Sequence, residues 1–166
     1  IPAFLTMKII SHSERETLKL GRRLARYLRP GDIVCLFGQL GSGKTVLTKG
    51  IAEGLGIKKN QVISPSFVLI REHAEGRIPL FHFDLYRLGQ EKDIAVLGVE
   101  EYLFDSGVSV IEWADRIEEA LPEEHLMISI EVMSEHKRKF IFKPSGVRYR
   151  AAVNELHAAL VPRAGT

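Results

Sequence analysis

Cysteine is nearly absent from this 166-residue chain, where Cys35 stands alone. That excludes a disulfide framework and agrees with a reducing, cytoplasmic setting. Cys35 lies in the apolar run Ile33 to Phe37, where a lone thiol reads as a small buried hydrophobe. Long hydrophobic runs are missing as well: none approaches the roughly 18 residues that a helix needs to cross a bilayer, so no membrane partner is expected. The opening Ile1-Pro2-Ala3-Phe4-Leu5-Thr6 has no basic segment leading into a long apolar stretch; residues 1–6 read as a ragged terminus, with Met7 a candidate start, rather than as a signal peptide. Charge of one sign is lacking too. Lys and Arg number 23 against 21 Asp and Glu, a net +2, too little by itself to mark a nucleic-acid binder. No repeat, linker, low-complexity tract or Cys/His cluster occurs, and His12, His73 and His125 lack the spacing of metal ligands.

What is present is an ordinary soluble composition, 45% hydrophobic and 27% charged, in a chain long enough for one domain with a real core. Ser13 followed by Glu16 forms a capping box, opening a helix whose apolar face carries Leu18, Gly21, Leu24, Ala25 and Leu28. Pro30-Gly31-Asp32 ends it. Ile33 to Phe37 has the continuous apolar character of a strand buried on both faces. A helix is expected from about Lys44 to Leu55, strands over Val62 to Arg71 and Ile78 to Phe83, and a helical region from Glu91 to Leu103. A buried strand follows at Val108 to Ile111, then a helix from Ala114 to Leu121. Leu126 to Val132 and Lys139 to Phe142 alternate around Ser134-Glu135-His136 as a hairpin, and an amphipathic helix spans Tyr149 to about Val161. The order predicts a three-layer α/β domain over 1–166, with a mostly parallel sheet and an antiparallel addition.

Between the first buried strand and its helix lies Gly38-Gln39-Leu40-Gly41-Ser42-Gly43-Lys44-Thr45. A strand, then Gly-x-x-x-x-Gly-Lys-Thr, then a helix is the context in which this pattern cradles phosphates. Glycines let the backbone curl and bring its amides to the anion, and the following helix turns its unpaired amides and positive dipole end the same way. Gln39 to Thr45, with Val46 behind, are therefore the expected nucleotide-binding residues. Lys44 would neutralise the β- and γ-phosphates, and the Thr45 hydroxyl would hold magnesium beside ATP.

Such a site needs an acid at the end of a neighbouring buried strand, and two offer themselves. Glu112 follows Val108 to Ile111, the more continuous apolar run, and is favoured as the metal ligand; Asp84 follows Leu80 to Phe83 and is favoured either for supporting the metal's ligands from behind or for orienting water. Ser64 or Ser66, around Pro65, offers a hydroxyl for sensing the γ-phosphate. His82, alternating with Phe81 and Phe83, reads as a packed strand histidine, and Trp113 as either core or a sticky surface.

Taken together, Gly38 to Thr45, Ser64-Pro65-Ser66-Phe67, His82-Phe83-Asp84-Leu85-Tyr86-Arg87-Leu88 and Ile111-Glu112-Trp113 resemble the TsaE (YjeE) family, the bacterial ATPases needed to make threonylcarbamoyladenosine in transfer RNA. The match in order and spacing runs from about Ser13 to Leu121. The resemblance implies that Lys44 and Thr45 bind phosphate and magnesium, that Glu112 is the other metal ligand, and that Asp84 is needed for hydrolysis. It also implies that the base lies near Glu14 and the Ser134-to-Lys137 turn that carries Glu135. Its implied partners are TsaD and TsaB, with ATP hydrolysis resetting their threonylcarbamoyl-transfer complex and transfer RNA engaged indirectly. Departures from the family pattern are Ser66 for a common Thr, Gln39 for a frequent acid, Val46 for a frequent second Thr, and Ala114-Asp115 after Trp113. None removes a group that the chemistry needs.

Other classes stay in view. A small-molecule kinase would need an arginine-bearing lid, for which Lys137-Arg138-Lys139 is a weak match better read as a solvated hairpin tip. A nucleotide-gated binding module would use ATP only to set a docking surface. A regulatory GTPase is disfavoured by the absence of an Asn-Lys-x-Asp motif, and a transporter ATPase by the absence of Leu-Ser-Gly-Gly-Gln. No arginine is obviously placed as a cis finger, although Arg87 is a candidate. Lys137, Arg138, Lys139, Lys143, Arg148 and Arg150 offer charge for direct RNA contact, but without interleaved aromatics.

Overall fold

The computed structural model describes residues 6–62, 69–88, 98–103 and 106–161. Its centre is a seven-stranded sheet in the order β1-β7-β6-β2-β5-β4-β3. The strands are β1 (Met7–Ser11), β2 (Ile33–Phe37), β3 (Ile70–His73), β4 (Leu80–Asp84), β5 (Val108–Glu112), β6 (His125–Val132) and β7 (Arg138–Ser145). β2 runs parallel to both β5 and β6, and β4 parallel to β5. The antiparallel pairs lie outside this core: β3 on β4 at one edge, β6 with β7 and then β1 at the other.

Successive strand residues point to opposite faces, and the two hydrophobic clusters follow that rule. Val34 and Leu36 of β2 belong to the first cluster, Ile33 and Cys35 to the second. The first face is covered by α1 (Glu14–Ala25), α2 (Lys44–Gly54) and α4 (Val147–Leu160), through residues such as Leu24, Ile51 and Leu156. The second is covered by α3 (Val99–Leu103) and a 3-10 turn (Ala114–Ala120), through Val99, Leu103 and Ile117. This is the expected three-layer arrangement with its antiparallel addition.

Helix α1 starts on the expected capping box: Glu16 N donates to Ser13 Oγ at 3.1 Å, and His12 N to Glu16 Oε2 at 2.6 Å. It packs against α2 at unusually close range. A Cβ on Gly21 would stand 2.6 Å from Leu47 O and 2.7 Å from Ile51 N, so only glycine lets these two backbones meet.

Several boundaries differ from the sequence expectation. β1 is a strand that the pattern did not announce; it pairs with β7 from Met7 opposite Phe142 to Ser11 opposite Arg138. β7 continues past Phe142 through Pro144 to Ser145. Among the described residues the pairing with β1 ends at Met7 opposite Phe142, and Pro144 has no strand partner on that outer side of β7. α4 begins two residues early, at Val147, behind Gly146 with φ 104°. The expected helix after Trp113 is a 3-10 turn kinked at Ile117. Of the strand expected over 62–71, only the end from Ile70 is in place, residues 63–68 lying outside the described residues together with the readings of Ser64, Pro65, Ser66 and Phe67. Most of the 91–103 helix expectation, and the 1–6 terminus but for Thr6, lie outside them too.

Candidate functional site

β2 delivers the chain to Gly38, and the loop to Gly43 turns back into α2. Gly41 (φ 77°) and Gly43 (φ 108°) hold left-handed conformations that a side chain would strain. Ser42 N donates to Gln39 O at 3.0 Å and closes the curl. Lys44, 4% exposed, turns its ammonium onto the loop itself, donating to Gly38 O and, at 3.0 Å, to Gln39 O. The Trp113 ring lies beneath it, 3.9 Å from Nζ to the ring centroid. Burial pushes the Lys44 pKa below the ordinary lysine value, while Glu112, Asp115 and Asp84 pull it back up. The Lys44 side chain thus sits among loop carbonyls, an aromatic face and acids.

The acids arrive from the neighbouring strands. Asp84 of β4 sits directly opposite Glu112 of β5, and Glu112 opposite Leu36 of β2, at the carboxyl ends of the parallel strands. Phe81, Phe83 and Ile111 fill the second cluster, so alternation turns His82, Asp84 and Glu112 to the other face, where α2 begins. There the two Glu112 oxygens are divided. Oε1 accepts from Thr45 Oγ1 at 2.7 Å, and Oε2 contacts Nε2 of His82, which is fully buried. Asp84 Oδ1 accepts from Tyr86 N at 3.0 Å. Trp113 takes a left-handed backbone (φ 59°) directly after Glu112, a conformation costly for a bulky residue and one that collects at functional sites. Its ring packs on Tyr86, 5.0 Å between centroids.

These groups border a cleft of about 500 Å³. One wall is Leu40 to Val46 with Asp84, Tyr86, Arg87, Glu112 and Trp113. The second wall comes from the start of α1, with Ser13, Glu14 and Thr17, and from the β6–β7 hairpin, with Glu135, His136 and Arg138. The expected residues Leu40 to Val46, Asp84, Glu112, Glu14 and Glu135 therefore share one cleft. Gln39 stands behind it and contributes its carbonyl to Lys44 and Ser42; Ser66 lies outside the described residues.

Two residues have a place here that their sequence reading did not give. His82 does pack in its strand, but it also holds a carboxylate oxygen of Glu112. Arg138, read as part of a solvated hairpin tip, donates through Nε to Ser42 O at 3.1 Å. Its partners are backbone carbonyls, which leave no signature in a sequence. For a metal, no group of three His, Cys, Asp or Glu side chains able to hold an ion occurs among the described residues. The Thr45 hydroxyl and Glu112 carboxylate nevertheless form a hard-oxygen pair that fits magnesium, an ion that keeps several waters and takes its remaining ligands from phosphate.

A glycine-curled loop between a buried parallel strand and a helix, beside two strand-borne acids, defines a P-loop NTPase-type fold. Comparison with known proteins narrows the class. The family model "Threonylcarbamoyl adenosine biosynthesis protein TsaE" matches residues 11–140, and the chain belongs to the TsaE family. The Bacillus subtilis protein named tRNA threonylcarbamoyladenosine biosynthesis protein TsaE is 43% identical over 141 residues, covering 85% of this chain and 87% of that protein. Its namesake from Treponema pallidum is 38% identical over 133 residues, covering 80% and 97%. The crystal structure of Bacillus subtilis YdiB superposes with a TM-score of 0.81 at 36% identity, covering 96% of this chain and 99% of that one.

Proposed function

We propose that this chain binds ATP with magnesium and hydrolyses it in support of threonylcarbamoyladenosine formation in transfer RNA. The observation that carries the reading is the 2.7 Å bond from Thr45 to Glu112 directly behind the phosphate loop, which joins a phosphate cradle to an acid with the ligands magnesium requires. Within it, the loop amides from Leu40 to Val46 hold the phosphates, and Lys44 exchanges its carbonyl partners for β- and γ-phosphate oxygens. Magnesium would be held by Thr45, Glu112 and phosphate, and supplies charge neutralisation there. Asp84 orients a water for in-line attack on the γ-phosphorus. The bond from that phosphorus to the bridging oxygen breaks, ADP leaves, and the water's oxygen remains in the released phosphate. Ser66 contributes a hydroxyl near the γ-phosphate, and Glu14 and Glu135 border the adenosine end. The chain acts as one cytoplasmic domain.

The names of its relatives and its family support a role in threonylcarbamoyladenosine formation; the partners proposed for that role are TsaD and TsaB, whose transfer complex ATP hydrolysis resets between turnovers, with transfer RNA engaged through them. A site that awaits its partners hydrolyses slowly alone, since a missing cationic group can cost about a thousandfold or more. Phosphate release is therefore expected to rise on adding TsaD and TsaB with no phosphate acceptor present, which also separates hydrolase from kinase. Equal rates with and without the partners would overturn the reset role. Nucleotide binding with no phosphate release in either mixture would leave a nucleotide-gated module instead.

A further inference from the structure

Arg138 stands at the first position of β7, opposite Ser11 of β1 and Val132 of β6, and lies 96 residues beyond Ser42 in the chain. Its guanidinium meets backbone carbonyls on two sides. On the hairpin side, Nη1 donates to Ser134 O at 2.7 Å, Glu135 O at 3.1 Å and Lys137 O at 3.2 Å. On the phosphate-loop side, Nε donates to Ser42 O at 3.1 Å and Nη2 reaches Gly41 O at 3.4 Å. A planar fork with five N–H donors can bridge two backbones in this way; a lysine ammonium cannot.

We propose that Arg138 is a positioning residue for phosphate: by holding the Ser42 carbonyl, it keeps the Gly43 amide at the entry to α2 turned towards a bound anion. The inference rests on the nucleotide-binding reading above and deepens it. Each peptide unit is rigid and planar, so a carbonyl fixed outward fixes the amide of the same unit. Ser42 O belongs to the unit whose amide is that of Gly43, at the entry to α2. A cation on the carbonyl also polarises that unit and strengthens its N–H as a donor to an anion. Gly41 and Gly43 need such an external brace, because glycine gives the loop many conformations to lose when phosphate binds. The ligand class is therefore any polyphosphate, with or without a base.

Two places for Arg138 can be told apart. A brace on the phosphate loop affects every ligand that carries phosphates. A brace on the 134–137 turn, which borders the cleft through Glu135 and His136, affects only ligands with a base. The test is isothermal calorimetry of the full chain with Mg-ATP, Mg-ADP and inorganic tripolyphosphate, for the wild type, Arg138→Ala and Arg138→Lys. Arg138→Ala is expected to weaken all three ligands by a similar factor of about tenfold, the size of one charge-assisted hydrogen bond, and Arg138→Lys to recover less than half of the loss. Weakening of ATP and ADP with tripolyphosphate unchanged overturns the inference, as does full recovery by lysine or unchanged binding throughout. Thermal melts accompany each variant: if the loss of affinity disappears once it is corrected for the fraction folded at the assay temperature, the role is structural and the inference fails. A wild-type chain that binds none of the three contradicts the nucleotide-binding reading itself, a separate result.

Discussion

The two walls of the cleft are built on different principles. The phosphate-loop wall comes from short contiguous motifs at the carboxyl ends of parallel strands, where neighbouring residues act together through backbone amides and paired acids. The second wall is assembled from the start of α1 and the β6–β7 hairpin, segments more than a hundred residues apart in the chain, and is held by antiparallel pairing and by one arginine on carbonyls. On the proposed reading the first wall carries the chemistry and the second sets how firmly the first is held, so the consequences of damage should differ in kind.

The largest effect is expected at the first wall. Lys44→Ala should reduce phosphate release by about a thousandfold, the scale of removing a charge that faces the developing anion, with an unchanged urea midpoint. A loss under tenfold would remove Lys44 from the centre of the site. A purely structural change should act the other way round. Gly21→Ala forces a methyl into the Leu47 carbonyl, and overpacking of that kind costs about 1–3 kcal/mol, read as a lower urea midpoint with the hydrolysis constant per folded molecule unaltered. Unchanged stability would show that the α1–α2 contact is looser than its geometry.

His82 tests the support beneath the acid. His82→Phe keeps an aromatic ring but removes the partner of Glu112 Oε2, and losing such an orienting contact typically costs about 10-fold or somewhat more. Slower hydrolysis, with ADP binding in the absence of magnesium unaffected, is the expected pattern; equal loss in both would make His82 a packing residue only.

The smallest effect lies outside both walls. Tyr149 of α4 accepts a hydrogen bond from Ile33 N of β2 at 2.9 Å. Burial pushes its hydroxyl from 10.0 to about 12, and the Cys35 thiol from 9.0 to about 12. Both groups hold their protons longer in the folded chain than in the unfolded one. Their stabilisation is thus complete below about pH 9 and fades as pH rises towards 12, by at most about 1.4 kcal/mol per pH unit for each proton. Cys35→Ala should flatten the alkaline limb of the stability profile above pH 9, measured by urea denaturation. A limb as steep as in the wild type would place the thiol in contact with water.

Legibility in the sequence follows the same division. The octapeptide from Gly38 to Thr45 was readable because its function lies in its own backbone. β2 and β5 were readable because strands buried on both faces are continuously apolar, and that run ends visibly on Glu112. β6 and β7 alternate, so the hairpin was readable as well. β1 was not: Met7 to Ser11 is five residues long with an irregular burial pattern, and its status as a strand depends on β7, more than a hundred residues later. His82 lay between Phe81 and Phe83 and looked like packing, because nothing local tells a strand histidine that a glutamate 30 residues on faces it. Arg138 sat in a Lys-Arg-Lys run of ordinary surface charge. Local chemistry is written in motifs; long-range bracing by carbonyls is not.

The most direct measurement is equilibrium dialysis of ATP against the isolated chain, with and without magnesium. The account predicts saturable uptake of one nucleotide per chain that strengthens with magnesium and weakens sharply in Lys44→Ala. Absence of uptake by the folded wild-type chain, or uptake indifferent both to magnesium and to Lys44, would contradict it.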